Sequence, residues 1–171
     1  MEAKKEKDKK QKCMKKEDDG GKYLQWNPEM DSRLADILKS ERQQSHKGDG
    51  GWKSEAFTSA VLKMSTIYNI HVMKDNVKNH LKGWKRTCGV VSDILSQSDF
   101  NWDSGRKIIT VDDNNVWSEY AKTHPETSKY RFKTLVNWDD IVDLCAKDRA
   151  TGYGAENAEN AMNFFSGILL S

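Results

Sequence analysis

Asn76, Lys78, Asn79, Lys82, Lys85 and Arg86 fall within eleven consecutive residues and carry the most distinctive chemistry of this chain. Lysine and arginine neutralise phosphates and release their counterions, so they suit a polyanion. Asn79 has the donor–acceptor edge that pairs with adenine, and Arg86 has the fork that pairs with guanine. Lys78, Lys82 and Lys85 suit phosphate contacts, which set register without reading sequence. From Asn76 to Ser92 there are four Lys/Arg and no Asp or Glu.

One element has to present these groups. Val77, Leu81, Trp84, Cys88, Val91 and Leu95 recur at steps of four and three, the period of a helix with one buried face. The spacing predicts a helix over about 75–96. On it, Asn79, Lys82 and Arg86 oppose the apolar stripe, while Lys78 and Lys85 lie on one flank. Gly83 and Gly89 interrupt this helix at about 1 kcal/mol each relative to alanine. They mark either a close backbone approach or bend, or positions that a long helix tolerates.

Two shorter helices precede it. Asn27 can cap the first, Pro28 suits its first position, and Met30, Leu34 and Ile37/Leu38 give it an apolar face. SHKGDGG at 45–51 reads as a loop. The second helix starts at Trp52 or Ser54, with Phe57, Val61, Met64 and Tyr68 as its stripe. Asn69 to Lys74 connects it to the third. Trp26, Trp52 and Trp84 fall one per helix and are expected to form the structural core.

Past Ser96 the pattern changes. Ile108-Ile109-Thr110-Val111 reads as extended, and Asp112 or Asp113 caps a helix bearing Val116, Trp117, Tyr120 and Ala121, which His124-Pro125 ends. Lys129 to Val136 is irregular and basic. Asn137 is placed to cap a last helix with Ile141, Leu144 and Cys145 inward. The organisation expected is a basic, disordered tail at 1–22 and a three-helix domain at 23–98. A mostly helical extension at 99–147 packs on or beside that domain, and a disordered or truncated tail occupies 148–171. The fold class expected is all-α.

The chain of 171 residues is 36% hydrophobic and 32% charged, with a formal net charge of +2. Distribution says more than the sum. From Trp52 to Leu95 there are seven Lys/Arg against three Asp/Glu, and from Asp99 to Asp148 seven against ten. A basic segment followed by an acidic one implies an oriented electrostatic surface. The three cysteines, Cys13, Cys88 and Cys145, and the four histidines show no zinc spacing, so neither metal nor cofactor is expected. Reduced thiols suit an intracellular protein. No apolar run reaches the roughly 20 residues of a membrane span, and the lysine-rich start lacks the apolar core of a secretory signal. Asp139-Asp140 are adjacent and project differently from a helix, and no nucleophile–base grouping or phosphate loop is visible. An enzyme is therefore not expected.

The strings WNPEMDSRLADIL, NVKNHLKGWKR, FNWD, VWSEY, HPETSKYR, NWDDIVDLC and DRATGYGAE together resemble the plant Myb/SANT-like DNA-binding domain family. The relatives are trihelix factors and the Myb-like proteins that accompany Harbinger-type transposases. The resemblance covers Tyr23 to Glu156. It implies a helix-turn-helix fold whose third helix lies in the major groove, with the family's signature on Val77, Lys78, Asn79 and His80 and its basic pair on Lys85 and Arg86. His80 stands where the family often has arginine. Met73 stands where serine or threonine commonly caps this helix, which leaves Asp75 to do so. The function implied is nuclear, with double-stranded DNA as partner, in transcription regulation or as a transposon-derived accessory factor. The alternative is a SANT-type protein-interaction module for a chromatin or transposase partner, without sequence-specific DNA binding. The acidic C-terminal half is a candidate dock for a transposase-like or transcriptional protein, compatible with DNA binding.

Overall fold

Asn27 starts the first helix as its position in the sequence suggests. The computed structural model describes residues 23–150, and α1 runs Pro28–Gln43, with the Met30 N–H donated to Asn27 Oδ1 at 2.9 Å. Proline at the first position loses no intrahelical hydrogen bond, and Glu29 and Asp31 complement the positive end of the helix dipole. Met30, Leu34, Ala35, Ile37 and Leu38 are buried along one face.

α2 spans Ser54–Tyr68, but its deepest face is not the aromatic stripe. Ala56, Ala60 and Met64 are fully buried, whereas Phe57, Val61 and Tyr68 are half-buried at the edge of the core. Small residues at a helix–helix contact allow close approach, which leaves the bulky side chains to close the flanks. Asn69 ends α2 at φ 48°, a left-handed conformation that asparagine tolerates better than most residues.

α3 spans Lys74–Leu95, 22 residues. Met73, not Asp75, is its N-cap residue. The cap works in reverse, because the Asn76 side chain accepts the Met73 N–H at 2.8 Å and so satisfies the entering backbone without a serine or threonine. Val77, Leu81, Trp84, Cys88, Val91, Ile94 and Leu95 are buried. A Cβ added at Gly83 would meet nothing within 4 Å, so no close approach requires that glycine.

The fold is mostly helical rather than all-α, because two small antiparallel hairpins link the helices. β1 (Lys47–Gly48) pairs with β2 (Gly51–Trp52), and β3 (Phe100–Asp103) with β4 (Ile108–Val111). The first closes in the segment expected to be loop, around an Asp49-Gly50 turn with Gly51 at φ 104°. In the second, Phe100 faces Val111 and Trp102 faces Ile109, and Asp103 accepts the Arg106 N–H at 2.9 Å to brace the turn. The β-branched run at 108–111 is extended, as expected.

α4 (Asn114–Thr123) is capped by Asp113, whose Oδ1 accepts the Asn115 N–H at 2.8 Å. A 3-10 turn follows at Pro125–Tyr130, and α5 at Trp138–Ala150. The Asn137 side chain does not cap α5 but donates to Asp31 Oδ2 at 3.4 Å.

Segments 23–98 and 99–147 share one core. Trp117, Tyr130, Leu135, Trp138, Ile141, Leu144 and Cys145 join the buried cluster of α1 and α3. Ion pairs rim that junction: Lys39–Asp140 at 2.5 Å, Arg42–Asp143 at 2.8 Å and Lys47–Asp148 at 3.0 Å. Of the tryptophans expected in the core, only Trp84 is buried, at 5% exposure; Trp117 (2%) and Trp138 (0%) are the other two central indoles. Trp26 and Trp52 are half-buried at the rim, because Trp26 lies ahead of α1 and Trp52 sits in the short hairpin, with the Lys47 ammonium 5.2 Å from its ring. The tail at 1–22, Cys13 and residues 151–171 lie outside the described residues, whereas 148–150, expected to begin the second tail, continue α5 instead.

Candidate nucleic-acid interface

The indole side of α3 anchors it. The buried face of α3 packs against α2, α5, β3 and the 3-10 turn, which leaves the opposite line of the helix in solvent. Along that line Asn79, Lys82 and Arg86 are all exposed, together with Asp75. Lys78, Lys82 and Arg86 stand at steps of four and span about 12 Å of the helix axis, comparable with the width of the major groove of DNA.

The flanks differ. Lys78 is exposed, with its ammonium 5.4 Å from the Phe57 ring of α2, a contact that keeps its charge free for another partner. Lys85 is committed internally: its Nζ lies 3.1 Å from Asp148 Oδ2 on α5. Burial pushes the Asp148 carboxyl up, but hydrogen bonds from Lys47 and Lys85 outweigh that and hold it below the usual carboxylate range. Asn76 is likewise occupied by its cap. Among the described residues, no carboxylate lies within ion-pair distance of Lys78, Lys82 or Arg86. Of the six side chains singled out from the sequence, Lys78, Asn79, Lys82, Lys85 and Arg86 are exposed and Asn76 is half-buried; Lys85 is paired with Asp148, and Asn76 is taken up by the cap.

His80 does structural work. Its ring stacks on Trp26 at 4.0 Å and 12°, tilts against Trp84 at 5.1 Å, and places Nε2 2.6 Å from Asp31 Oδ1. An arginine here would point a guanidinium where this chain packs an aromatic sandwich between α1 and α3. Spacing alone does not reveal that role, because Asp31 lies 49 positions away in the sequence and Trp26 further still.

Another polar network ties α1 to α2. Glu41 is buried at 2% exposure and accepts hydrogen bonds from Ser59 and from Lys63 at 3.2 Å, with His46 Nδ1 at 2.7 Å. Burial raises the Glu41 pKa, but those three hydrogen bonds carry it below its ordinary value. Among the described residues no group of three His, Cys, Asp or Glu could hold a metal ion, and no helix is long and apolar enough to cross a membrane.

The Myb/SANT-like DNA-binding domain family matches residues 25–120, from the approach to α1 through most of α4. The chain belongs to this family. No curated protein and no solved structure matches it. The match takes in α1, α2 and α3 with the whole open basic line, and it ends before the 3-10 turn and α5. Family membership makes nucleic-acid or chromatin-associated binding the coarse function of this domain, with DNA as a partner.

Proposed function

We propose that this Myb/SANT-like protein binds double-stranded DNA in the nucleus by laying α3 in the major groove. It would serve there as a transcription regulator or a transposon-derived accessory factor of the plant trihelix- and Harbinger-associated kind, and not as an enzyme. The observation that carries this reading is the outer line of α3, where Lys82 and Arg86 face solvent with no carboxylate partner among the described residues while the opposite face is fixed in the core. Lys78 and Lys82 contact phosphates, and Asn79 and Arg86 reach base edges, adenine and guanine respectively.

The competing reading is a SANT-type module for a histone tail or another protein, which needs an available acidic surface. The α5 acids that could offer one are largely engaged: Asp139 with Lys107 at 2.7 Å, Asp140 with Lys39, Asp143 with Arg42 and Asp148 with Lys47. Selection from a random duplex library tests the proposal directly. Enrichment of one motif, weakened by salt, supports it. Failure to retain any duplex, together with capture of a basic histone-tail peptide, would replace it with the competing reading.

A further inference from the structure

Beside α3, on the side opposite Lys78 and Lys85, lies an open cleft of about 360 Å³ between α3, the start of α1 and the segment following α4. Its lining includes Arg86 and Thr87 from α3 and Lys129 and Lys133 from residues beyond the family match. Asp31 is the one carboxylate in the lining, and it is already engaged by His80 at 2.6 Å and Asn137 at 3.4 Å. Three cations thus share a cleft whose only acid among the described residues is spoken for.

Tyr130 fixes this arrangement. It is 1% exposed, its hydroxyl shares a hydrogen bond of 3.2 Å with Thr87 Oγ1 on α3, and the ammonium groups of Lys129 and Lys133 lie 5.1 and 5.5 Å from its ring. The chain then turns sharply. Lys133 N–H donates to Tyr130 O at 3.2 Å, with Arg131 extended at φ −63° and ψ 125° and Phe132 at φ 61°. That is a type II turn, whose third position ordinarily takes glycine. Here it holds a phenylalanine that is 71% exposed. A turn needed only for connection gains nothing from an aromatic in a left-handed conformation facing water, and such outliers concentrate at functional sites.

We infer that this cleft is a second DNA contact, a clamp for the phosphodiester backbone alongside the groove that α3 enters. Lys129 and Lys133 take the phosphate charge, and Phe132 packs against the neighbouring deoxyribose. The inference rests on the proposed function and extends the footprint to residues 129–133. Arg86 sits at the corner of both surfaces and joins the groove-facing line to the clamp.

The test measures duplex affinity of the full chain against salt for wild type, Lys129→Ala/Lys133→Ala, Lys129→Arg/Lys133→Arg and Phe132→Gly. Each phosphate contact contributes about 0.9 to the slope of log K against log salt, so the alanine pair lowers the slope by about 1.8. Between 50 and 200 mM salt, wild type then loses roughly 12-fold more affinity than that variant, the fourfold change in salt raised to the power 1.8. The arginine pair keeps the wild-type slope. Phe132→Gly melts higher, because glycine relaxes the turn, yet binds about fivefold more weakly, near the low end for an aromatic contact to nucleic acid. An alanine pair with wild-type slope and affinity, while wild type binds DNA, overturns the clamp alone. Wild type without affinity for any duplex overturns the proposed function and the clamp with it. Binding of an acidic peptide that needs these lysines, with DNA affinity unchanged, reassigns the cleft to a protein partner.

Discussion

Charge reversal at Lys82 and Arg86 tests the assignment of α3 with little risk to the fold. Both side chains are exposed, and neither has a carboxylate within ion-pair distance among the described residues. Lys82→Glu/Arg86→Glu therefore breaks no internal pair, and surface changes of this kind fall within about 0.5 kcal/mol of wild type. Binding should respond differently. A hydrogen bond to a charged partner is worth about 1.5–3 kcal/mol, so losing two costs about 3–6 kcal/mol before any repulsion from the new carboxylates is counted. At about 1.4 kcal/mol per decade, affinity falls by at least roughly 100-fold. Gel shift or fluorescence anisotropy on a selected duplex reads the loss, and circular dichroism with thermal melting reads the fold. Reversal of Lys122, exposed on α4 and paired only with Glu119 at 2.6 Å, is the control that should leave binding intact. Wild-type affinity in the double variant, with helicity and melting unchanged, would remove the outer line of α3 from the interface.

Trp84→Ala should destabilise the protein by roughly 3–5 kcal/mol, the range for a buried aromatic, and a melting curve like wild type would contradict its anchoring role. Gly83→Ala should stabilise α3 by about 1 kcal/mol, since the added methyl meets open space, and chemical denaturation will show whether it does. Glu41 gives a pH signature. Its folded pKa lies below its ordinary value, so the stability it contributes is present above the normal glutamate range and is lost as pH falls through the lower folded pKa. Melting temperature against pH should therefore drop less steeply on the acid side in Glu41→Gln, from a lower neutral-pH starting point; parallel curves would show that Glu41 has no linked proton.

How far the sequence reveals the structure depends on the range of the interaction concerned. Caps and stripes act within one turn or one helix, and the caps of α1 and α4, the stripe of α3 and the extended run at 108–111 were all legible for that reason. The α2 stripe was legible in part: Met64 is fully buried and Phe57, Val61 and Tyr68 pack at the edge of the core, but alanine is weakly hydrophobic in a pattern count, and Ala56 and Ala60 lie deeper than Phe57. The first hairpin hid within a glycine-rich stretch whose composition also describes a loop. The fates of His80 and Lys85 were out of reach. Each is decided by a partner brought in by tertiary folding, Asp31 and Trp26 for one and Asp148 for the other. Of the candidate contact residues, Asn76 is taken up by the cap of its own helix and Lys85, still exposed, pairs with Asp148, while Lys78, Asn79, Lys82 and Arg86 stay open.

The same sorting explains how a chain with a formal net charge of only +2 can present a strongly basic surface. Helix α5 contributes Asp139, Asp140, Asp143 and Asp148, which bring negative charge to the total. Each is met by Lys107, Lys39, Arg42, or the pair Lys47 and Lys85, so this charge is balanced where α5 docks on the rest of the fold. Glu41 and Asp31 are similarly enclosed by their own partners. Among the described residues no carboxylate lies within ion-pair distance of Lys78, Lys82, Arg86, Lys129 or Lys133, all of them exposed on or beside α3. The acidic extension thus has an electrostatic consequence beyond packing: the cations it draws to the back of the molecule are ones whose charge is cancelled there, and the positive field remains on the α3 side. A polyanion approaching the molecule is oriented by that asymmetry before any contact forms. This asymmetry requires α5 to stay docked. Asp140→Asn with Asp143→Asn should loosen that rim without touching α3, and DNA affinity should change little unless α5 leaves the core.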